Sequence, residues 1–442
     1  MGRTVVIGAG IIGLACAYEL RRRGEDVVVL DKSEPGAAAS AGNAGWITPS
    51  LSGPVPAPGI VRQSVKWILR PDSPLYMRPR ADAVFLSWLL SFCRHCTERA
   101  YQAGLDAVAT LNAQTMTLYD ALVADGVRFE MRRQGVLFAF LSRTALEHAA
   151  ADLDRMRSHG YGIARHLTGP EARDLEPILS SAVLGGIVVD EERHVRPESL
   201  TAGLVARLVE MRATIRAGLE ATGFRTPRAS SMVPAQNKST LSHNTASAGT
   251  VRAVTTANGS IEADRFVIAA GAWSADLTRK LGFRLPMQAG KGYSITLLGA
   301  APRIGRPLYL DEARVAVSSF DGALRLAGTM ELSGINTHLD QRRVEAIRRS
   351  ADRYLVNWRH GSHEDIWVGM RPLTPDGLPV IGAVPGYNNV YLATGHAMLG
   401  ITLAPATAAA LAGLMLEGTS TVDLRPFEPA RFVRPRSLLG QK

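Results

Sequence analysis

Apolar, β-branched residues open the chain in two short runs, 4–7 and 26–30, separated by a segment of helical spacing from Ile11 to Arg23. Gly24 stops that helix and Asp31 closes the second run. The pattern predicts a βαβ unit of about thirty residues, whose parallel strands need a right-handed crossover. Residues 37–59 are rich in Gly, Ala, Ser and Pro but carry Asn43, Trp46 and Ile47, so they read as a long ordered loop. Helical spacing then dominates from Gly59 to Gly126, with Trp67, Leu69, Trp88, Leu89, Phe92, Leu105, Leu111, Leu118 and Leu122 as apolar anchors. Strands are predicted at 135–141 and 184–190 and a helix at 199–212. Residues 251–255 and 261–269 predict a β-type pair turning at Asn258-Gly259. Between them and Phe224, residues 226–249 hold Ser, Thr, Asn and Pro with almost no apolar anchor, and read as an exposed insertion. Residues 293–298, 315–319 and 323–327 alternate like strands of an antiparallel sheet, and 340–356 form an amphipathic helix. The chain then runs through a strand at 390–393, a glycine turn and a helix ending at Leu416.

The nucleotide-type unit thus sits at both ends, with strand-rich sequence between. We expect an α/β protein in which a Rossmann-like domain (1–52, 197–286, 366–442) is interleaved with an α+β domain built on an antiparallel sheet (53–196, 287–365). A length of 442 residues suits two cores, and no repeat of fixed period is visible.

Composition narrows the class. Apolar residues make up 46% and charged residues 20%, the balance of a globular protein. The net charge of +10 is mostly arginine spread along the chain, and the run Arg21-Arg22-Arg23 has no aromatics interleaved for base stacking. Nucleic acid is therefore not the expected partner, whereas a peripheral membrane contact stays open. Three cysteines, Cys16, Cys93 and Cys96, cannot build a disulfide framework, which points to a reducing, cytoplasmic setting. Cys93-Arg94-His95-Cys96 lacks a second ligand pair, so no metal is expected. The N-terminal apolar run mimics a signal peptide, but Gly8, Gly10 and Gly13 interrupt it at the spacing of a nucleotide-binding turn. Residues 401–416 contain Pro405 and fall short of the ~20 residues of a membrane span, so they read as a buried helix.

The chemistry starts at Gly8-Ala9-Gly10-Ile11-Ile12-Gly13, placed between a strand and a helix, with Asp31 ending the next strand. The first glycine permits the tight turn, the second lets backbone approach a pyrophosphate, and the third allows close helix–strand contact. The helix N-terminus offers free N–H groups and partial positive charge, and Asp31 takes the ribose hydroxyls. This motif leaves NAD and FAD equally open.

Further along come Glu34-Pro35-Gly36, Ser40-Ala41-Gly42-Asn43-Ala44-Gly45-Trp46-Ile47-Thr48-Pro49, Lys291-Gly292-Tyr293-Ser294-Ile295-Thr296 and Gly328-Thr329-Met330-Glu331. The series ends with Arg371-Pro372-Leu373-Thr374-Pro375-Asp376-Gly377-Leu378-Pro379-Val380-Ile381-Gly382 and Ala393-Thr394-Gly395-His396-Ala397-Met398-Leu399-Gly400. In this order the chain resembles the D-amino-acid oxidase superfamily of FAD-dependent amine oxidoreductases, most closely its D-amino-acid dehydrogenase branch. The resemblance spans nearly the whole chain. It implies non-covalent FAD, since no cysteine falls in the segments expected beside the flavin.

Carried over by residue, the resemblance places Gly8, Gly10, Ile11, Ile12, Gly13, Asp31 and Lys32 at the ADP half. Asn43, Ala44, Gly45 and Trp46 would pass the pyrophosphate and ring, and Ala270, Gly271 and Trp273 form a further contacting turn. Gly395, His396, Met398, Leu399, Gly400 and Ile401 would open a helix toward the pyrimidine edge, where a helix N-terminus stabilises negative charge on the reduced ring. His396 could add a positive charge there or point into a helix contact. Arg371 is expected to hold the substrate carboxylate through a bidentate fork, with Tyr293 as a second candidate for that carboxylate.

The implied reaction is oxidation of the C–N bond of a D-, cyclic or N-substituted amino acid by hydride transfer to flavin N5. The resulting imine hydrolyses. The acceptor is a quinone or oxygen; a glycine-oxidase-type enzyme releasing peroxide is the rival, and an idle flavin-binding protein a remote one. Ala397 stands where the branch usually has glycine, Met398 where a smaller polar residue is usual, and Trp46 where polar residues are common. These departures point away from an ordinary D-amino acid, toward D-hydroxyproline or an N-substituted glycine. The expected location is the cytoplasm, with room for a peripheral position on the inner membrane face.

Overall fold

The first thirty residues fold as their pattern predicts. Strands Arg3–Ile7 and Asp26–Leu30 lie parallel, Thr4 beside Val27 and Ile7 beside Leu30, joined by helix Ile11–Arg22. Both strands are buried beyond their first residue, which is why each reads as a continuous apolar run and not as an alternation. The computed structural model describes residues 2–62, 64, 73–78, 82–161, 163–226, 248–299 and 304–433. The anchors Trp67 and Leu69 and almost all of the 226–249 insertion lie outside the described residues.

Around this unit a six-stranded sheet is ordered Thr214–Arg216, Asp26–Leu30, Arg3–Ile7, Arg265–Ile268, Val390–Thr394, Val380–Ala383. All neighbours run parallel except the last pair. Helix Ile11–Arg22 packs on Gly400–Glu417 and Pro197–Glu210 beside this sheet. By length and composition Gly400–Glu417 could cross a membrane, yet most of it is buried inside the protein. Pro405 lacks the N–H that would bond the Ile401 carbonyl, and the buried Tyr119 hydroxyl donates to that carbonyl instead at 2.7 Å.

The second sheet has nine strands. Eight run in the order His363–Leu373, Gln288–Leu298, Ala323–Leu332, Val315–Phe320, Leu308–Leu310, Val136–Phe140, Gly185–Val189, Ala164–Thr168, and Leu75–Met77 pairs with Ala323–Leu332. It is antiparallel except where Leu308–Leu310 meets Val136–Phe140 and where Leu75–Met77 meets Ala323–Leu332. Helix Gln341–Tyr354 covers one face through Val344 and Ile347; the other face looks toward the first sheet.

Two details differ from the sequence pattern. Residues 261–269 do not continue one hairpin: Ala253–Thr256 pairs with Gly259–Glu262, but Arg265–Ile268 leaves for the six-stranded sheet. Asp264 fixes the change of sheet, accepting from the Arg3 backbone at 2.7 Å and, through its carbonyl, from Asn389 at 2.8 Å. The helical region 59–126 contains the short strand Leu75–Met77 and then three helices, Ala83–His95, Glu98–Asn112 and Thr115–Ala124. Asp82 and Thr97 cap the first two by accepting from the Val84 and Ala100 backbones.

Candidate active site

A cavity of about 1530 Å³ joins the sheets, its lining running from Gly8, Gly10 and Asp31 to Gly292, Gly369 and Arg371. Its nucleotide end is built by local sequence. Gly8 has φ 111°, a backbone that glycine alone adopts without strain, and a Cβ at Gly13 would collide with the Gly8 carbonyl. Gly13 therefore acts by close packing and does not line the cavity. Asp31 stands at the end of its strand and accepts from the backbone of Ala9 at 2.7 Å and Ser33 at 2.9 Å. Ser40 takes the Ile11 N–H at 2.8 Å. Lys32 lies 4.0 Å over the Trp273 ring, and with Ile12, Ala270 and Gly271 both line the cavity.

The opposite wall is one face of the second sheet. Cross-strand partners point to the same side, so Gly290, Gly292 and Ser294 share a face with Arg371, Gly369 and Trp367, and with Ala327 and Ala316 beyond. The glycines of this face lie under larger side chains, Gly292 beneath the Arg371 guanidinium and Gly369 beneath the Trp367 indole, and the face forms a platform that presents these two flat groups to the cavity. The segment Gly42–Trp46 crosses it: the Trp46 indole donates to Ser318 and Ser318 donates to the Ala44 carbonyl, each at 2.8 Å. Thr402, in the first turn of Gly400–Glu417, ties the same segment to that helix, donating to the Trp46 carbonyl and accepting from the Thr48 backbone, each at 3.1 Å. No side chain caps this helix at Leu399, and Met398, Leu399, Gly400 and Ile401 line the cavity. Gly395 does not; its φ of 78° shapes the turn from behind.

Arg371 is the open cation of the site. Its guanidinium donates to the Thr329 carbonyl at 2.8 Å, and among the described residues no carboxylate pairs with it. A Cβ on Gly292 would fall on that guanidinium, so any side chain there would displace the arginine head. Thr329 holds a positive φ of 57°, a strained value for a β-branched residue, which aims its carbonyl at Arg371. Burial lowers the Arg371 pKa to about 10, which leaves it charged at neutral pH with donors to spare.

The role expected of Tyr293 is corrected, and of the two readings of His396 the helix contact is the one observed. Tyr293 pairs with Val368 and so lies on the face opposite Arg371, where its hydroxyl donates to Glu331 at 2.6 Å. Burial and this carboxylate raise its pKa. It cannot share a carboxylate with Arg371. His396 carries no charge: burial lowers its pKa to about 3, and Nε2 meets the Thr407 hydroxyl at 2.9 Å inside the helix contact. Sequence reasoning missed Tyr309, a neighbour of Ala316 on the platform face that lines the cavity edge-on to Trp46, with ring centroids 5.7 Å apart. The short strand Leu308–Leu310 has too few residues to show a period, so no pattern marked it. Nor could sequence show that Arg325 and Glu198, 2.8 Å apart, would meet behind the Gly42–Trp46 segment.

These residues fit FAD. Backbone replaces side chain at Gly8 and Gly10, an uncapped helix start faces the cavity, and the platform opposite carries the Arg371 guanidinium and the Trp367 indole. Thr329 and His396 also line the cavity, and each holds a buried polar atom, Oγ1 and Nδ1, that has no partner among the described residues and is open to a polar ligand. A dinucleotide fold joined to a sheet that carries an open guanidinium is the architecture of an enzyme with a dinucleotide cofactor. The family model for FAD-dependent oxidoreductases named DAO matches residues 3–414, and the chain belongs to that family. It is 32% identical to a D-amino acid dehydrogenase of Cereibacter sphaeroides over 98% of this chain and 96% of that one. It is 30% identical to the D-amino acid dehydrogenase of Agrobacterium fabrum over 97% and 99%. Among solved structures, glycine oxidase from Geobacillus kaustophilus matches with a TM-score of 0.74 and 20% identity over 98% of this chain and 100% of that one. L-proline dehydrogenase from P. horikoshii matches at 0.70 and 18%, over 98% and 97%; both share the fold. The protein is thus an FAD-dependent enzyme with a parallel cofactor-binding sheet and a largely antiparallel second sheet.

Proposed function

We propose that this protein is an amino acid dehydrogenase that oxidises the C–N bond of a D-, cyclic or N-substituted amino acid. The observation that carries this is Arg371: a half-buried guanidinium with unused donors, seated on the platform face over Gly292. Its fork takes the substrate carboxylate bidentately and turns the Cα–H toward the platform. Bound FAD supplies the acceptor for the electron pair and hydrogen that leave Cα. The substrate amine must be neutral to form the imine, which water then cleaves to a keto acid and an amine. With His396 uncharged and Tyr293 on the far face, positioning and not side-chain acid–base chemistry sets the rate. Trp88, Phe92 and Met330 line the cavity as an apolar wall, which suits a substrate with an apolar or ring-closed side.

The acceptor in this reading is a quinone, and the protein works at the inner face of a membrane. Helix Ala83–His95 supports it: Trp88 is buried and Leu89, Phe92 and Cys93 line the cavity, while Val84, Leu86 and Leu90 face outward, 70%, 49% and 63% exposed. Arg94 follows in its last turn, as expected of a helix resting on an anionic surface. Anaerobic bleaching of the bound flavin by a panel of D-, L-, cyclic and N-alkyl amino acids tests the substrate. If none bleaches it, the reading fails. Reoxidation by a soluble quinone against peroxide release in air separates dehydrogenase from oxidase, and flotation with anionic vesicles tests the membrane contact.

A further inference from the structure

The segment Gly42–Trp46 has no regular structure before its two-residue strand at Trp46–Ile47, yet its backbone is held at almost every step. Arg325 reaches it from the second sheet with all arms of its fork engaged. Nε donates to the Thr296 hydroxyl at 2.9 Å, one terminal nitrogen to the Asn43 carbonyl at 3.0 Å, and the other to Glu198 at 2.8 Å. The same Glu198 oxygen accepts the Gly42 N–H at 3.2 Å. Glu198 sits in the first turn of helix Pro197–Glu210, beside the first sheet. Ser318 is the cross-strand neighbour of Arg325 and holds the Ala44 carbonyl and the Trp46 indole. From the other side the Gly45 carbonyl accepts the Val195 N–H at 2.7 Å.

We propose that Arg325 and Ser318, with Glu198, are positioning residues that set where FAD lies relative to Arg371. Thr296 and Gly290 both face the platform side of strand Gln288–Leu298, so Arg325 and Arg371, their cross-strand partners, stand on one face of one sheet. Arg325 and Ser318 thus tie the segment that borders the cavity to the sheet that carries Arg371, while Glu198 and Thr402 tie it to helices beside the first sheet. The arrangement requires arginine: a planar fork meets three acceptors in fixed directions, which a lysine ammonium on a flexible stem does not reproduce. Burial raises the Glu198 pKa, but the Arg325 guanidinium and the backbone donors outweigh it and hold the carboxylate below its ordinary range, so the pair stays ionised.

The inference rests on the amino acid reading only for its kinetic arm. Arg325→Lys, Ser318→Ala and Arg371→Ala are compared as full-length protein. FAD affinity is measured by fluorescence titration of the stripped protein, and flavin reduction by anaerobic rapid mixing with whichever amino acid bleaches it. Arg325→Lys is expected to weaken FAD binding about tenfold, as loss of charge-assisted bonds would. It should also slow reduction at saturating substrate about tenfold, with half-saturation moved less than about threefold. Ser318→Ala should shift both quantities in the same direction by less. Arg371→Ala should leave FAD affinity unchanged and raise half-saturation, a separation that a general loss of packing would not give. The proposal is overturned if folded Arg325→Lys binds FAD as tightly as the parent, whatever its melting temperature. Should Arg325→Lys fail to fold, an unchanged FAD affinity and visible spectrum for Ser318→Ala overturn it equally. The flavin titration needs no amino acid, so it stands even if no substrate is found.

Discussion

Strand Gln288–Leu298 carries opposite chemistry on its two sides. On the platform side lie Gly290, Gly292 and Ser294, opposed by an arginine that meets no acid among the described residues. On the other side Lys291, 1% exposed, is matched by Glu331 at 3.0 Å, by Asn336 at 2.9 Å and by the His338 carbonyl at 2.8 Å, and Tyr293 completes the Glu331 shell. Burial works against the Glu331 charge, but the Ser333 hydroxyl, the Tyr293 phenol and the Lys291 ammonium together hold its pKa below the usual value. Two cations a few residues apart in register, one buried and one half-buried, thus have different purposes. One is fully satisfied and seals the sheet against helix Gln341–Tyr354; the other is left short of partners, which is tolerable only where a ligand will supply them.

The largest expected effect belongs to the sealed side. Lys291→Met strips Glu331 of its counter-charge inside the protein and should lower stability by about 3–5 kcal/mol, read as a fall in the denaturation midpoint. The substrate half-saturation of whatever remains folded should be close to that of the parent. An undiminished midpoint would mean that the pair contributes nothing and that the contrast between the faces is false.

On the open side, Arg371→Ala should raise the amino acid concentration for half-bleaching by at least about tenfold, the loss of a charge-assisted pair of ~1.5–3 kcal/mol. Its denaturation midpoint should hold or rise, since the change removes a half-buried charge without leaving one behind. A normal titration curve would take Arg371 out of the site. The same cation sets an upper limit in pH. Binding of carboxylate needs the guanidinium charged, and burial places its pKa at about 10, so affinity should persist below that pH and fall as pH rises through it. The need for a neutral substrate amine acts in the other direction and favours alkaline pH. The reductive rate at low substrate should therefore climb from neutral pH and drop near 10, and with Arg371→Lys the position of that drop should move. A flat profile from mildly acidic to strongly alkaline pH would contradict both arguments.

How much of this was legible in the sequence depends on how local the contacts are. The nucleotide end is made by residues within one βαβ unit, and Gly8, Gly10, Gly13 and Asp31 announce it by spacing alone. The strands of the second sheet could also be read from their alternation, and Arg371 from the motif that follows it. What could not be read is which side each residue faces. A shift of one residue in register reverses every side chain, and the bulge in Ala323–Leu332, where Glu331 faces Lys291 but Gly328 faces Tyr293, breaks the alternation along that strand. Strand His363–Leu373 was hidden because it mixes charged and apolar residues at its exposed start, and it crosses the expected boundary at 366 while pairing along its whole length with Gln288–Leu298. His396 shows the same limit: its spacing suits a cofactor turn, but only the packing of Gly400–Glu417 shows that Thr407 occupies its ring nitrogen.

The smallest predicted effect decides the facing of Tyr293. Tyr293→Phe removes one hydroxyl, which donates to Glu331 and accepts from the Asp340 backbone; Lys291 still holds the carboxylate from its other side. The expected loss is about 1.5–3 kcal/mol at most, the range for a hydrogen bond to a charged group, and it should appear wholly in the denaturation midpoint. Half-saturation by the amino acid and the rate of flavin bleaching should match the parent. The outcome separates two geometries cleanly. Were the phenol to share the substrate carboxylate with Arg371, removing it would raise half-saturation severalfold with little change in stability, the reverse of the pattern expected from a residue on the far face of the strand.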